Sequence, residues 1–438
     1  MRRIALAFVG VVTVLGCSVA AKAQVQSRQP GGVDAFKQTV GSGSFDKLVA
    51  RLGEVNSDII TKGLKRFPGS TGRLLTGYPY NEYYDWDLYF ENIYLTYYGV
   101  SDYCFTNLKM FLKREDPDGY ISRSLIKNRD RQDFKPFLAQ LALMGSRLNG
   151  NNFDWMRDDA YDKLAKYVNH WFDYDYDHNG LPVWISADAA GMDNEWSRGG
   201  PLNSFQDEGV DLACELVRET QAMAVIADML GKPYDAKAFN ARADKLTQLI
   251  NDVFWDDKDG FYYDRNEKTG KSIKVKSIAG FFPLWAGVAP PNRAKRLIQE
   301  HLLNEKEFWL KYPIATYAKT EVDYYQGGNN ECNWRGSSWM PMNYIIFHGL
   351  IHYGYQAIAR DLAYRCYHLA LDENPHTREW FDAETGAGQG HVFWGFSTLG
   401  YIMPLEWETQ YDPMELHKDV KAIVPDSFGV KFPALPPN

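Results

Sequence analysis

Two acidic residues are notable because their neighbours are small, apolar or aromatic. Glu379 precedes two aromatic residues in "REWFDAETGAGQGHVFWGFSTLG", residues 378–400. Asp193 follows a glycine and a methionine in "AAGMDNEWSR". A carboxyl group in such surroundings costs free energy unless it is paired or hydrogen-bonded, and desolvation raises its pKa. Acids of this kind can transfer protons near neutral pH. Asp188, Asp207 and Glu208 are competing acids near Asp193, and Glu208 also suits a helix start.

Aromatic residues make up 15% of the 438 residues, with 13 Trp and 28 Tyr. Trp and Tyr offer flat apolar faces with polar edges, which suit sugar rings, although a large aromatic core has the same composition. The candidate sugar-binding residues are Trp86, Asp87, Arg123, Gln132, Trp334, Arg335, Trp339, His391 and Trp394. Three of these positions have a structural alternative. Asp87 could cap a helix, the "DPDG" before Arg123 could form a plain turn, and Arg335 could stack on an aromatic ring of the core.

A half-complete calcium motif lies before the Asp193 loop. In "DYDYDHNG", Asp175, Asp177 and Asn179 precede Gly180 and match the first half of a calcium-binding loop. The twelfth position is Ser186 rather than Glu, so a polar turn is the alternative. We therefore expect no required cofactor and at most a structural calcium ion.

The first residues are typical of an export signal. Arg2 and Arg3 precede an apolar run that is too short to span a bilayer, and "AKAQ" follows. We expect residues 1–23 to be a signal peptide, with Cys17 lipidation as the alternative. Removal of the leader takes the formal net charge from −8 to −11, which argues against a nucleic-acid partner. The predicted location is a bacterial periplasm, without a membrane segment after signal removal.

The remaining chain predicts helices joined by long loops. Apolar residues recur at helical spacing in several segments, including a stripe through Leu212, Leu216, Met223, Ile226 and Leu230. The alternation of helices with long loops predicts an all-α helical toroid with the long loops on one face. We expect a flexible segment over 24–44, one catalytic domain over 45–406 and an irregular tail over 407–438. The four cysteines beyond Cys17 fit no zinc spacing and should be small buried side chains.

Five segments, in order, resemble the (α/α)6-barrel inverting glycosidases of glycoside hydrolase family 63 and its relatives, the family 37 trehalases and mannosylglycerate hydrolases. "EYYDWDLYF" resembles the trehalase Trp-Asp signature, and "SADAAGMDNEWSR" resembles the "SGMDNSPR" segment that carries the general acid. "GVDLACELVRETQAMAVIADMLGK" is similar to "VDLNAFLYREMQALAKIAELLGK". "NWRGSSWMPMNY" and the opening segment resemble "YWRGPIWININY" and "EQYDPTTGEGQG".

The resemblance implies that Asp193 is the general acid and Glu379 the general base. Two such carboxyls stand about 6.5–9.5 Å apart, with a water between them. Only a closed fold can bring these two together from distant parts of the sequence. Glu195 and Trp196 depart from the family pattern after "DN", and "EWF" and "WGFS" replace "EQY" and "FGWT". These changes remove no carboxylate but leave the sugar and the leaving group open.

The predicted function is an inverting α-glycosidase that hydrolyses an α-glucoside or α-mannoside of a small oligosaccharide or glycoside. One alternative is a sugar-binding protein without catalysis on the same barrel. Another is a polysaccharide lyase on a helical toroid, whose chemistry would need Tyr, His and Arg around a uronate. The sugar, its linkage and the oligomeric state stay open at this point.

Overall fold

The computed structural model describes residues 31–126, 135–186, 189–195, 207–312, 314–327, 332–393 and 395–436. Most of these residues are helical, which confirms the all-α prediction. The α-helices of five or more residues are Gly32–Val40, Ser42–Asp58, Asp85–Thr96, Asp102–Lys113, Leu138–Leu148, Ala160–His170, Val210–Met229, Pro233–Leu249, Pro291–Arg296, Met340–His352, Gln356–Leu371, Leu399–Thr409 and Val424–Phe428. The predicted signal peptide lies outside the described residues, among which no helix is both long and apolar enough to cross a membrane.

Short antiparallel strands lie in the connections between helices. The paired strands are Leu64–Arg66 with Arg73–Leu75, Trp255–Asp256 with Phe261–Tyr262, and Arg378–Phe381 with Gly388–Val392. A four-stranded sheet has the order Val183–Trp184, Asp207–Glu208, Arg265–Asn266, Lys271–Ser272. These strands are two to five residues long and cannot form a core of their own. They shape the loops that the helices carry.

The helix Val210–Met229 shows why the helices pack as they do. The predicted stripe is buried: Leu212, Leu216 and Met223 are fully inaccessible. The helix packs against Pro233–Leu249 after a tight turn at Gly231, whose φ of 75° favours glycine. Burial of each large apolar side chain contributes about 1.5–3 kcal/mol.

Buried charges on the same helix are paired. Asp211 and Glu215 bind the Nζ of Lys135 at 2.8 and 2.9 Å, and all three side chains are inaccessible to solvent. The Lys135 ammonium also lies 5.0 Å from the centre of the Trp184 ring. Removal of one partner from such a group would leave an uncompensated buried charge, which is strongly destabilising.

Part of the segment over 24–44, which the sequence predicts to be flexible, has regular structure. Helix Gly32–Val40 is followed at once by helix Ser42–Asp58. Phe36 is fully buried, and its ring lies 5.8 Å from those of Tyr367 and Phe428. The apolar burial of Phe36 outweighs the polar composition around it.

The predicted irregular tail over 407–438 contains one short helix. The preceding helix ends at Thr409, and Val424–Phe428 is helical, with Val424 fully buried. The rest of the described tail has no regular structure apart from isolated turns. Because Phe428 contacts Phe36, the two ends of the described chain pack together.

A buried polar cluster joins helices Met340–His352 and Leu399–Thr409 to the tail. His348 lies 3.0 Å from Glu406 and 3.4 Å from Asp412. Tyr97 and Tyr344 donate hydrogen bonds to Glu406. Burial alone would lower the pKa of His348, but the two carboxylates outweigh it and raise that pKa to about 9.

This cluster predicts a pH dependence of stability. The pKa of His348 is raised on folding from 6.5 to about 9. The contribution is therefore fully present below pH 6.5 and is lost as the pH rises through about 9. Urea unfolding between pH 6 and 10 should show the wild type losing more stability than His348→Gln over this interval. Parallel curves for the two proteins would contradict the assignment.

Candidate active site

A cavity of about 220 Å³ is lined by residues from several loops, from strand Arg378–Phe381 and from the start of helix Asp85–Thr96. It is smaller than the roughly 300–1,000 Å³ typical of ligand pockets, so it suits a small ligand or one unit of a larger one. Its wall contains Tyr78, Tyr80, Tyr84, Trp86, Asp87, Arg123, Gly191, Asp193, Cys332, Trp334, Trp339, Glu379 and Phe396.

Asp193 is presented to the cavity by a tight turn. The backbone N–H of Glu195 donates to the carbonyl of Met192 at 3.0 Å, so Asp193 and Asn194 are the central residues. The Asn194 side chain accepts from the N–H of Trp334 at 2.7 Å. This bond attaches the turn to a segment distant in sequence and places Asp193 beside it.

Glu379 lies on strand Arg378–Phe381 and is 2% exposed. One carboxylate oxygen accepts the N–H of His391 at 3.1 Å, and the other accepts the thiol of Cys332 at 3.0 Å. The partner strand has a register irregularity between Gln389 and Val392, which brings the His391 amide to the carboxylate. A Cβ on Gly390 would stand 2.2 Å from the Glu379 oxygen that accepts the His391 N–H, so only glycine fits there.

Asp193 and Glu379 line the same cavity, and Cys332 lines it with them. The Cys332 thiol donates a hydrogen bond to Glu379, with Sγ 3.0 Å from Oε1. Burial, followed by the charges of Asp193 and Glu379, raises the pKa of this thiol. The thiol is therefore neutral at ordinary pH.

Asp87 is a third acid in the same wall. It lies in the first turn of helix Asp85–Thr96 and is 4% exposed. Burial, opposed by a hydrogen bond from Tyr78 and reinforced by Asp193, raises the pKa of Asp87 to about 8. Asp87 is therefore mostly protonated at neutral pH and can both donate and accept hydrogen bonds.

Aromatic rings form one side of the cavity. Trp334 and Trp339 stack with centroids 3.8 Å apart and an interplanar angle of 11°. Trp86 lies 6.3 Å from Trp334 and 6.2 Å from Phe396. Such a wall offers an apolar face to the carbon–hydrogen face of a sugar ring.

Most of the predicted sugar-binding residues lie in the wall. Trp86, Asp87, Arg123, Trp334 and Trp339 all contribute to it. Backbone bonding between residues 83–85 and 123–125 explains how Arg123 reaches the cavity: Asp85 N–H donates to the Arg123 carbonyl at 3.2 Å. Gln132 and Trp394 lie outside the described residues.

The side chains of two residues that were predicted to bind sugar, Arg335 and His391, do not line the cavity. Arg335 is absent from the wall, and its guanidinium lies over the Tyr325 ring at 5.3 Å, which matches the stacking alternative. His391 has an exposed side chain against the Tyr80 ring, 5.2 Å between centroids, and reaches the site through its backbone N–H. The sequence motif therefore located these segments correctly but not the orientation of each side chain.

Sequence reasoning did not single out Tyr78, Tyr80, Tyr84 and Cys332. The tyrosines stand in "GYPYNEYYDW", and their density beside Trp86 was the available signal. Cys332 precedes Trp334 by two residues, but the sequence predicts it to be a small buried side chain like the other three cysteines. Cys104, Cys214 and Cys366 are indeed buried, whereas Cys332 is partly exposed at the cavity.

The calcium-like loop is closed by its own hydrogen bonds. Asp175 accepts from the N–H of Gly180 at 2.9 Å, and Asp177 accepts from the N–H of Asn179 at 3.1 Å. The Arg265 guanidinium lies 3.7 Å from Asp177, where its charge would repel a cation. Among the described residues, no three His, Cys, Asp or Glu side chains converge as a metal ion requires. The geometry favours the polar turn, and calcium binding stays a prediction.

A family model described as a mannosylglycerate hydrolase MGH1-like glycoside hydrolase domain matches residues 80–397. Among the described residues of the cavity wall, Tyr78 alone lies outside this range. The chain belongs to this glycoside hydrolase family. The predicted family 63-like membership is thereby confirmed.

Curated relatives of this glycoside hydrolase match over shorter stretches. Mannosylglycerate hydrolase of Thermus thermophilus is 32% identical over 177 residues, 40% of this chain and 38% of the relative. Cytosolic neutral trehalase of Kluyveromyces lactis is 29% identical over 182 residues, 36% of this chain and 23% of the relative. The matched stretch thus spans less than two fifths of these relatives.

Solved structures share the fold over most of the hydrolase chain. The GH63 mannosylglycerate hydrolase from Thermus thermophilus, in complex with Tris and D-glycerate, superposes with a TM-score of 0.65 at 20% identity. The match covers 80% of this chain and 99% of that chain. A neutral trehalase from Saccharomyces cerevisiae gives 0.58 at 18% identity, covering 86% and 85%. The predicted (α/α)6 barrel is confirmed.

The buried Asp87 predicts a stability difference that tests the electrostatics of the cavity. Its pKa rises from 3.8 to about 8 on folding. Its contribution to stability is therefore greatest below pH 3.8 and is lost as the pH rises through about 8. Asp87→Asn, which cannot ionise, should melt about 2–4 °C above the wild type at pH 8.

The difference between Asp87→Asn and the wild type should shrink toward pH 4, as followed by calorimetry or circular dichroism. A variant less stable than the wild type across the whole range would contradict the raised pKa of Asp87.

Proposed function

We propose that the protein is an inverting glycoside hydrolase that removes one hexose from a small α-glycoside. The observation that carries the proposal is that Asp193 and Glu379 line the same cavity. Membership of a glycoside hydrolase family supports the reaction class.

Glu379 suits the role of general base. Both of its oxygens accept hydrogen bonds, one from the Cys332 thiol and the other from the His391 N–H, and these bonds hold the carboxylate in one orientation. An ionised carboxylate can take a proton from a water held beside the anomeric carbon. The closeness of Gly390 fixes the carboxylate and limits its freedom to rotate.

Asp193 is then the general acid. It is half-buried and faces the cavity from the opposite loop, so it can protonate the oxygen of the leaving group. The water adds to the anomeric carbon on the Glu379 side as the bond to the leaving oxygen breaks, which inverts the configuration. Asp193 ends ionised and Glu379 ends protonated.

The cavity and the relatives' names support a hexose as the bound sugar. Trp86, Trp334 and Phe396 can cover one ring face, while Asp87 can bond two hydroxyls. The matched relatives are named as mannosylglycerate hydrolases, trehalases and mannosyl-oligosaccharide glucosidases. We therefore propose an α-glucoside or α-mannoside as the substrate, with Arg123 near the leaving group.

Substitution of the two carboxyls tests this function. Asp193→Asn and Glu379→Gln should each retain the fold and sugar binding while lowering turnover by about 10²–10⁴-fold or more. Glu384→Gln is the matched control, because Glu384 follows the same strand but pairs with Lys319 outside the cavity. The substrates are a panel of α-linked disaccharides and glycerate glycosides.

Proton NMR of the wild-type reaction should show the β-anomer released first. Release of the α-anomer would refute inversion, and near-full hydrolysis by either carboxyl variant would refute the assignment. Binding of panel sugars without turnover would select a sugar-binding protein instead. An unsaturated product that absorbs in the ultraviolet would select a lyase.

Gly390 gives a second test, based on sterics. Its φ is 67°, and a methyl group there would displace the Glu379 carboxylate. Gly390→Ala should therefore lose activity by about 10²-fold or more, since misplaced catalytic groups are costly. Gly354→Ala is the control, because Gly354 has a φ of 80° and open space around it.

Both alanine variants suffer similar backbone strain of about 1–2 kcal/mol. Equal activity losses in the two, measured alongside their melting temperatures, would show that strain rather than carboxylate position is responsible.

A further inference from the structure

Glu91 is a buried acid that lies beside the cavity but does not line it. It stands on helix Asp85–Thr96, one turn after Asp87, and is 4% exposed. The cavity wall contains Asp87 but not Glu91. A buried carboxyl costs free energy unless other groups compensate for it. The contacts of Glu91 therefore indicate what the side chain does.

One oxygen of Glu91 binds the loop that precedes its helix. The backbone N–H of Gly77 donates to Oε1 at 2.7 Å. Among the described residues, no donor reaches the other oxygen, which is buried as well. Burial, followed by the charge of Asp87, raises the pKa of Glu91 well above its usual range. The neutral carboxyl is thereby favoured, and the bond from Gly77 holds it in place.

The same glycine also binds a second loop. The carbonyl of Gly77 accepts the backbone N–H of Gly395 at 3.2 Å. Gly395 begins the turn Gly395–Thr398, which packs against helix Asp85–Thr96. A chain of hydrogen bonds therefore runs from the Gly395 backbone through Gly77 to the Glu91 carboxyl. We call these three residues the Glu91 cluster.

The Glu91 cluster leaves no room for a further carbon atom. A Cβ on Gly77 would stand 2.1 Å from Glu91 Oε1 and 2.6 Å from the nitrogen of Gly395. A Cβ on Gly395 would stand 3.0 Å from both Glu91 Cγ and Gly77 Cα. The φ of Gly77 is not positive, so close approach rather than backbone conformation requires glycine there.

Each of the two joined loops contributes rings to the cavity wall. Tyr78 and Tyr80 follow Gly77, and Phe396 follows Gly395. The Phe396 ring lies 6.2 Å from the ring of Trp86. The Glu91 cluster therefore joins the two loops immediately before the residues that face the cavity.

We propose that Glu91 is a positioning residue that joins these two loops and so sets the relative positions of the tyrosines and Phe396 for sugar binding. The inference rests on the proposed function, because it assigns these rings to the sugar. The hydrogen bonds that hold the Asp193 turn and the Glu379 carboxylate lie outside the cluster. Loss of the cluster should therefore weaken sugar binding more than it slows the chemical step.

Amide hydrogen exchange of the unliganded protein tests the cluster without a substrate. Glu91→Ala removes the acceptor for Gly77, so exchange should become about 10-fold faster or more in residues 77–84. It should also become faster in residues 395–398, to which Glu91 makes no bond of its own. Glu91→Gln keeps an oxygen that can accept the Gly77 N–H, so it should restore slow exchange in both loops. Strand Arg378–Phe381 should keep its wild-type exchange throughout.

Steady-state kinetics gives a second readout. With the α-linked disaccharide or glycerate glycoside that the wild type hydrolyses fastest, Glu91→Ala should raise KM about 10-fold, since a buried hydrogen bond is lost. It should lower kcat by less than about 3-fold, because the two carboxyls keep their own partners. Gly77→Ala displaces the same carboxyl by sterics and should have the same effects. It also decides the question if Glu91→Ala does not fold.

Two controls separate this role from general destabilisation. Glu408→Ala removes another buried acid, 3% exposed, whose partners Tyr364 and Arg360 do not line the cavity. Gly53→Ala adds a methyl group in open space on helix Ser42–Asp58. Both controls should keep the wild-type KM and the wild-type exchange of residues 77–84 and 395–398.

The outcomes distinguish this inference from the proposed function. Faster exchange in both loops and a higher KM in Glu91→Ala and Gly77→Ala, with recovery in Glu91→Gln, support the positioning role. Wild-type exchange and KM in both alanine variants refute it, as does an equal rise of KM in Glu408→Ala, while the proposed function stands. If Asp193→Asn and Glu379→Gln remain active, the proposed function itself fails.

Discussion

The arrangement of the cavity depends on one electrostatic constraint: three carboxyl groups share a small, partly desolvated space. Asp87, Asp193 and Glu379 all line it. Like charges this close in a medium of low polarity cannot all ionise, so their protonation states must separate. The surroundings decide which group keeps its proton. Glu379 has two hydrogen-bond donors, whereas burial and the neighbouring charges raise the pKa of Asp87 to about 8.

Most of the residues that line the cavity lie in loops. Hydrogen bonds between segments distant in sequence hold these loops in position. Asn194 bonds Trp334, while Ser338 and Phe381 exchange two backbone bonds of 2.8 and 2.9 Å. These contacts place the segment around Trp334 between the Asp193 turn and the Glu379 strand. The helices beneath bury most of the apolar surface and hold the loop ends in place.

The sequence predicts the helical architecture well because the periodic burial of residues such as Leu212 and Leu216 is a local property. It also predicts Asp193, Glu379 and the aromatic wall, because their motifs are specific in combination. The sequence does not predict the burial of Phe36, because its segment is polar in composition and its contact with Phe428 is distant in sequence. It fails for Arg335 as well, since only the tertiary structure shows that the guanidinium turns toward Tyr325. Cys332 is not predicted from the sequence, because its hydrogen bond to the remote Glu379 carboxylate leaves no trace in the local sequence.

The central claim is that Asp193 acts as the acid and Glu379 as the base in one cavity, so that Asp193 carries a proton before the reaction while Glu379 does not. Neutron diffraction from deuterium-exchanged crystals of the unliganded protein near neutral pH measures this most directly. The account predicts deuterium on an Asp193 oxygen and on the Cys332 sulfur, and none on Glu379. Deuterium on Glu379, or two bare carboxylates facing separate cavities, would contradict it.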